Sequence, residues 1–207
     1  MRLYAFGLQE GKDMDQVKKR GGLLHYNSPA TLTFALVSLL ALLLGQLTNG
    51  ASTSLLFCVY RSSLLDPLTY FRLFGHVLGH ANWAHFSGNM MLLLVLGPML
   101  EEKYGTKAIV KMIVLTALVS GLLYMLFFPQ SALLGASGIV FMMIVLASAA
   151  GMKNGKIPIT LLLVMAIYLG GEFLSGIGPT DGIAHGAHIL GGLCGAGFSF
   201  FMVKKKS

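Results

Sequence analysis

The sequence has little charge and almost no cysteine. Charged residues make up 11% of the 207 residues, whereas a soluble globular domain carries roughly 25%. Hydrophobic residues make up 55% and the mean hydropathy is +0.74, which excludes a disordered chain and exceeds what a soluble fold of this size buries. Two cysteines, Cys58 and Cys194, make no disulfide framework. The composition therefore predicts an all-α membrane protein with several spans.

Apolar runs of spanning length occur six times along the chain. A spanning helix needs about 20 residues, and the apolar segments are 30–48, 85–100, 107–128, 137–151, 157–174 and 185–203. We expect residues 1–28 to form a cytoplasmic tail, 29–203 the six-helix core and 204–207 a basic cytoplasmic end.

The basic residues indicate how the spans are oriented. Of the 15 Lys and Arg, all except Arg61 and Arg72 fall on one side of the predicted membrane. By the positive-inside rule both termini are cytoplasmic, and the connections 49–84, 129–136 and 175–184 face outward. The net charge of +7 could suggest a nucleic-acid partner, but this clustering of the basic residues argues against one. We predict a multi-pass protein of the plasma (inner) membrane, in contact with the lipid bilayer.

The first outer connection and the fourth span both depart from a simple bundle. The connection 49–84 is long and rich in leucine and aromatic residues, so we expect short helices embedded in the outer interface. The span 137–151 is about 22 Å long at 1.5 Å per residue, short of a hydrocarbon core of about 30 Å. Its outer end therefore stops below the membrane surface.

Ser137 lies at that buried end, within the sequence GASG that begins at Gly135. Glycine permits a sharp turn, and the N–H groups of a helix start can stabilise an oxyanion. Ser137 is then a nucleophile; the alternative is a serine that only caps the helix.

His188 lies about one turn inside the last span, near the same depth. Gly191 and Gly195 follow it with the spacing that lets two helices approach closely. If this face packs on the fourth span, the imidazole reaches the hydroxyl as a general base. No carboxylate lies one turn from His188, which indicates a dyad rather than a triad. The alternative is a histidine bonded to a neighbouring backbone.

His85 and Asn89 are four residues apart and share one helix face. They supply two side-chain donors for an oxyanion hole beside the Ser137 N–H, or else they bond neighbouring helices. A metal or haem site is a further alternative, because the sequence contains five histidines that could act as ligands: His76, His80, His85, His185 and His188. We expect no metal or cofactor, because no HExxH, cysteine pair or carboxylate accompanies these histidines.

Taken together, these motifs resemble those of the rhomboid family of intramembrane serine proteases, in its minimal six-span bacterial form. The stretch FRLFGHVLGHANWAHFSGN supplies Arg72, His76, His80, His85 and Asn89. The stretch EEKYG supplies Glu101, with Lys103 in place of the family's arginine. GASG is similar to Gly-x-Ser-Gly, and AHILGGLCG to the motif of the last core helix.

The resemblance implies that Ser137 is the nucleophile and His188 the base. His85, Asn89 and the Ser137 amide would form the oxyanion hole, and the substrates would be transmembrane segments of single-pass membrane proteins, cut near their outer ends. Where the family often has a tyrosine stacked on the histidine, this chain has Phe141. We therefore expect stacking without a hydrogen bond.

Two other functions are compatible with the fold. A non-catalytic protein that binds transmembrane helices is disfavoured by the presence of both dyad residues. A transporter or channel with a histidine relay is disfavoured because no carboxylate lies in mid-span and no inverted repeat is evident.

Overall fold

The computed structural model describes residues 26–149, 156, 159–164, 166–167 and 182–204, without the side chains of 161, 164, 182–185 and 202–204. This part of the chain is mainly helical. The helices are α1 (Pro29–Leu47), α2 (Ala51–Leu56), α3 (Pro67–Gly75), α4 (Trp83–Tyr104), α5 (Thr106–Phe127), α6 (Ser137–Ala149), α7 (Ile159–Val164) and α8 (Gly182–Lys204). Two short strands, β1 (Val59–Tyr60) and β2 (Ala132–Leu133), and a 3-10 turn (His76–Leu78) complete it.

Three of the described helices, α1, α4 and α5, are long and apolar enough to cross a membrane. Helix α6 and the stretch Gly186–Phe201 of α8 are apolar but shorter. The protein is therefore a helical membrane protein, as predicted, and the count of six spans stays a prediction. The predicted tail 1–28, most of the fifth span and the connection 175–184 fall largely outside the described residues.

Helix α4 is longer than its sequence pattern predicts. The prediction ended at Leu100, where charged residues begin, but the helix continues to Tyr104. Gly105 alone separates it from α5, with a backbone φ of 84° that favours glycine. The lysines predicted for this connection therefore lie within the two helices, Lys103 in the last turn of α4 and Lys107 and Lys111 in the first turns of α5.

The carboxylate of Glu101 is buried near the end of α4 and is accommodated there by hydrogen bonds. Its side chain is 4% exposed and accepts hydrogen bonds from the Ala30 and Thr31 amides at 2.9 and 3.0 Å. The Thr31 and Thr106 hydroxyls donate to it at 2.9 and 2.7 Å. Ser28 precedes α1 but makes no side-chain cap. Glu101 thus caps α1 from another helix and joins α1, α4 and α5.

The first outer connection contains short helices, α2 and α3, braced by Arg72. The Arg72 side chain is almost fully buried and donates to the Leu55 carbonyl at 2.8 Å and to Asp66 at 3.1 Å. Its guanidinium lies 4.7 Å from the centre of the Tyr60 ring. Arg72 therefore supports the site indirectly, by holding the connection in shape.

Strands β1 and β2 join that connection to the segment before Ser137. They pair antiparallel, with Val59 opposite Leu133, and the Gly135 amide donates to the His76 carbonyl at 2.9 Å. A two-residue strand has no periodicity to detect, so the sequence does not predict this pair. Both connections thus lie at one end of the bundle.

The described part of helix α6 is packed among other helices of the bundle. It begins at Ser137, as predicted, and its 13 residues span about 20 Å at ~1.5 Å per residue. Nine of them are buried, against α4, α5 and α8. An apolar helix surrounded by other helices needs no polar face, which is why its composition resembles that of a lipid-facing span.

Replacing Glu101 should destabilise the bundle. In Glu101→Ala the N–H groups of Ala30 and Thr31 lose their buried acceptor, and we expect the free energy of unfolding to fall by about 2 kcal/mol. The thermal unfolding midpoint in detergent measures this loss. Glu102→Ala is the matched control, because Glu102 is exposed and makes no hydrogen bond within the described residues. Equal midpoints for the two variants would contradict the capping role.

Candidate active site

The turn that leads into α6 requires glycine at position 135. Gly135 has a φ of 122°, which L side chains rarely adopt. A Cβ on Gly135 would also stand 2.7 Å from Nε2 of His85. The glycine therefore permits both the turn before Ser137 and the approach of the His85 imidazole.

Helices α6 and α8 are in backbone contact. A Cβ on Gly191 would overlap the carbonyl oxygen of Gly138, and one on Gly195 would stand 2.5 Å from the carbonyl oxygen of Met142. These two glycines of α8 are four residues apart and so lie on one face of that helix. The close approach predicted for the Gly191–Gly195 face is present, and its partner is α6.

Ser137 and His188 lie at the end of this crossing where α6 begins. Gly138 follows Ser137, Ala187 precedes His188, and a Cβ on Gly138 would stand 3.3 Å from the Ala187 carbonyl oxygen. Among the hydrogen bonds between described residues, none joins the Ser137 hydroxyl to the His188 imidazole. Catalytic hydrogen bonds are often long in substrate-free structures and tighten when substrate binds.

The Phe141 ring holds the His188 imidazole in one plane. The two rings are stacked with centroids 4.4 Å apart and an interplanar angle of 4°. Phe141 lies one turn after Ser137 on α6, so this stacking orients the imidazole along the helix face that carries the serine. The stacking expected from the sequence is therefore present.

His85 and Asn89 converge on the same space from α4. A Cβ on Gly135 would stand 4.0 Å from Nδ2 of Asn89, close to His85 Nε2. The Asn89 side chain is 8% exposed, and its Nδ2 has no hydrogen-bond partner within the described part of the chain. His85 also lies within electrostatic reach of His188. Two potential donors thus face the turn before Ser137.

His76 and His80 are structural neighbours of the site. Both nitrogens of His76 are occupied, Nδ1 by the Arg72 carbonyl at 3.1 Å and Nε2 by the Ser120 hydroxyl at 3.3 Å. The His80 ring meets that of His85 edge-on, with centroids 5.1 Å apart. Burial lowers the pKa of His76 and of His80 to about 4, so both are neutral at pH 7.

No metal or cofactor site is evident in the described ranges. Within them, no three His, Cys, Asp or Glu side chains are grouped as a metal ion requires. Cys58 and Cys194 are both free thiols.

The remaining predicted residues divide into two groups. Arg72 and Glu101 act on the fold, as described above, rather than on the site. His185 lies on α8, three residues before His188, and its side chain falls outside the described residues. Gly138 is a further residue of the site that the motifs did not single out: its carbonyl contacts α8 at Gly191. The second glycine of GASG was the available signal.

Comparison with known proteins identifies a family. The family described as Rhomboid domain matches residues 67–205, more than half of the chain. The matched range begins at the first residue of α3 and includes Ser137, His188, His85 and Asn89. A search of curated proteins returned no significant match.

Gly191 should be essential to the site and Gly197 should not. In Gly191→Ala the new methyl group meets the Gly138 carbonyl, so α6 and α8 must separate; we expect a loss of about 2 kcal/mol in stability and of reactivity at Ser137. Nothing lies within 4 Å of a Cβ at Gly197 on the same helix. Gly197→Ala should therefore be neutral or stabilising by up to about 1 kcal/mol.

Thermal unfolding and labelling by a serine-reactive probe measure these two effects. Similar behaviour of the two alanine variants would show that the glycine contact does not hold the helices together.

Proposed function

The chain belongs to the rhomboid family, and we propose that it is an intramembrane serine endopeptidase with a Ser137–His188 dyad. Its substrates are transmembrane segments of single-pass membrane proteins, cut near their outer ends. Both termini lie in the cytoplasm, and the site opens to the outer side of the plasma membrane. Family membership alone does not decide activity, because the family includes pseudoproteases.

One observation supports the proposal above the others. Phe141 stacks on the imidazole of His188, while Gly138, beside Ser137, lies against α8 at Ala187 and Gly191. A serine that merely caps its helix needs no histidine held in register one turn along the same face. The arrangement suits a pair of side chains that exchange a proton.

The chemistry follows from these positions. The Ser137 hydroxyl attacks the scissile carbonyl carbon while His188 takes its proton, giving a tetrahedral oxyanion. His188 then donates that proton to the departing amine, leaving an acyl-enzyme on Ser137. Water, activated by the same imidazole, hydrolyses the ester and restores the hydroxyl.

Three donors suit the oxyanion: Asn89 Nδ2, His85 Nε2 and the backbone N–H of Ser137. The Asn89 amide supports this role because it is buried and its Nδ2 has no partner within the described part of the chain. A buried donor without a partner is unfavourable in the resting protein. It contributes most when negative charge develops beside it, as it does in the transition state.

A substrate must expose its scissile peptide bond before Ser137 can attack it. The bonds of a transmembrane helix are protected by their own hydrogen bonds, so the substrate must unwind locally before attack. The predicted span 137–151 is too short to reach both membrane surfaces, and Ser137 at its outer end therefore meets the substrate below the outer surface. Residues that weaken the substrate helix near its outer end should favour cleavage.

Labelling and cleavage should both depend on Ser137. A fluorophosphonate probe should label the wild-type protein in liposomes, and Ser137→Ala should abolish labelling. Ser148→Ala is the matched control, since Ser148 lies on the same helix and, within the described part of the chain, its hydroxyl bonds to the Ile144 carbonyl alone, at 2.9 Å. His188→Ala should lower cleavage of a co-reconstituted single-pass substrate by about 10²–10⁴-fold.

The opposite result would indicate a different function. If the folded wild type is neither labelled nor cleaves any substrate, the protein is a non-catalytic binder of transmembrane helices. Ser137→Ala should then retain such helices as well as the wild type does.

Substrate helix stability should control the cleavage rate. Two Leu→Gly changes near the outer end of an all-leucine substrate weaken its helix by about 1.5 kcal/mol, so we expect cleavage about tenfold faster. The same two changes at the inner end serve as control and should have little effect. Equal rates for all three substrates, measured by gel assay, would refute local unwinding as the limiting requirement.

A further inference from the structure

An apolar groove of about 440 Å³ lies between α1 and α5 on the surface of the bundle. Its walls include Phe34 and Val37 of α1, Val110 and Val114 of α5, and Leu78. The three valines are 38–46% exposed. Because α1 and α5 are long and apolar enough to span a membrane, this surface faces hydrocarbon. Its ordinary contact is therefore a lipid acyl chain.

Two lysines lie along the α5 edge of the groove. Lys107 precedes Val110 by three residues and Lys111 precedes Val114 by three, so each lysine neighbours a residue of the wall. The lysines are four residues apart and both are exposed. Neither makes an ion pair or a hydrogen bond within the described part of the chain. Two ammonium groups thus lie within reach of a single anion.

The acidic residues closest to these lysines in the sequence, Glu101 and Glu102, make no ion pair with them within the described part of the chain. Glu101 is 4% exposed, and its carboxylate is used by Ala30, Thr31 and Thr106. Glu102 lines a neighbouring cleft of about 500 Å³ at the start of α1, which shares Pro29 and Thr106 with the groove. The groove therefore combines apolar walls with a positively charged edge at the end where α5 begins.

We propose that this groove binds one anionic phospholipid of the cytoplasmic leaflet. An acyl chain lies along the valine walls, and the phosphodiester lies between Lys107 and Lys111. The predicted topology places this end of α5 at the cytoplasmic surface, where basic residues attract anionic lipid. A zwitterionic lipid offers the same chains, but its ammonium group is repelled by the lysines. The bound lipid bridges α1 and α5.

Competition between two lipids with identical chains tests the proposal. The purified full-length protein is mixed with equal amounts of phosphatidylglycerol and phosphatidylcholine, and the most tightly held lipid is identified by native mass spectrometry. We expect wild type to retain phosphatidylglycerol about tenfold over phosphatidylcholine. Lys107→Gln/Lys111→Gln should abolish this preference. Lys153→Gln/Lys156→Gln, which removes two lysines from another predicted cytoplasmic connection, should preserve it.

A second variant tests the groove itself. Val114→Trp keeps both lysines but fills the groove with an indole, and it should reduce retention of both lipids. Wild type without a preference, or a Lys107/Lys111 variant that behaves as its control does, would overturn the proposal. So would unchanged retention in Val114→Trp, which would mean that surface charge alone attracts the lipid. None of these readouts depends on proteolytic activity.

Discussion

The backbone contact between α6 and α8 is the constraint on which the rest of the structure depends. Side chains ordinarily keep two helix axes 8–10 Å apart, but Gly191 and Gly195 present no Cβ, so α8 lies directly on the carbonyls of α6. In lipid there is no hydrophobic force to drive helices together, and small residues allow the close van der Waals packing that replaces it. The same contact brings the serine and histidine faces together.

Polar groups hold together segments of the bundle that are distant in sequence or irregular in structure. Arg72 braces the first outer connection, and Glu101 caps α1 from the end of α4. The His76 carbonyl holds the turn at Gly135. A chain with 11% charged residues leaves few such groups, and each of these three satisfies backbone or charged atoms that would otherwise be buried without partners. The turn before Ser137 is held from the first connection, far away in sequence.

Charge contributes to this protein on two scales. In the topology that the sequence predicts, the lysines across the whole chain set the orientation, which requires only their number on each side of the membrane. On α5, Lys107 and Lys111 also lie beside a groove that is otherwise apolar. A lysine that sets orientation tolerates many positions, whereas a lysine that binds a headgroup must be adjacent to the acyl-chain site. Lys107 and Lys111 lie next to Val110 and Val114, so the same two lysines suit both orientation and headgroup binding.

The sequence by itself predicted those helices whose extent follows from local properties, namely apolar run length and flanking charge. Helices α1 and α5 agree with prediction to within a residue, and α6 begins at Ser137. The sequence also indicated the chemistry of the site, since serine, histidine and asparagine in apolar surroundings are few. Only the tertiary structure decided what they meet. Four contacts join residues that are far apart along the chain: the overlap of Gly191 with Gly138, the approach of His85 to Gly135, the Glu101 cap and the β1–β2 pair. Local periodicity carries no information about such contacts, which arise only when the helices fold against one another.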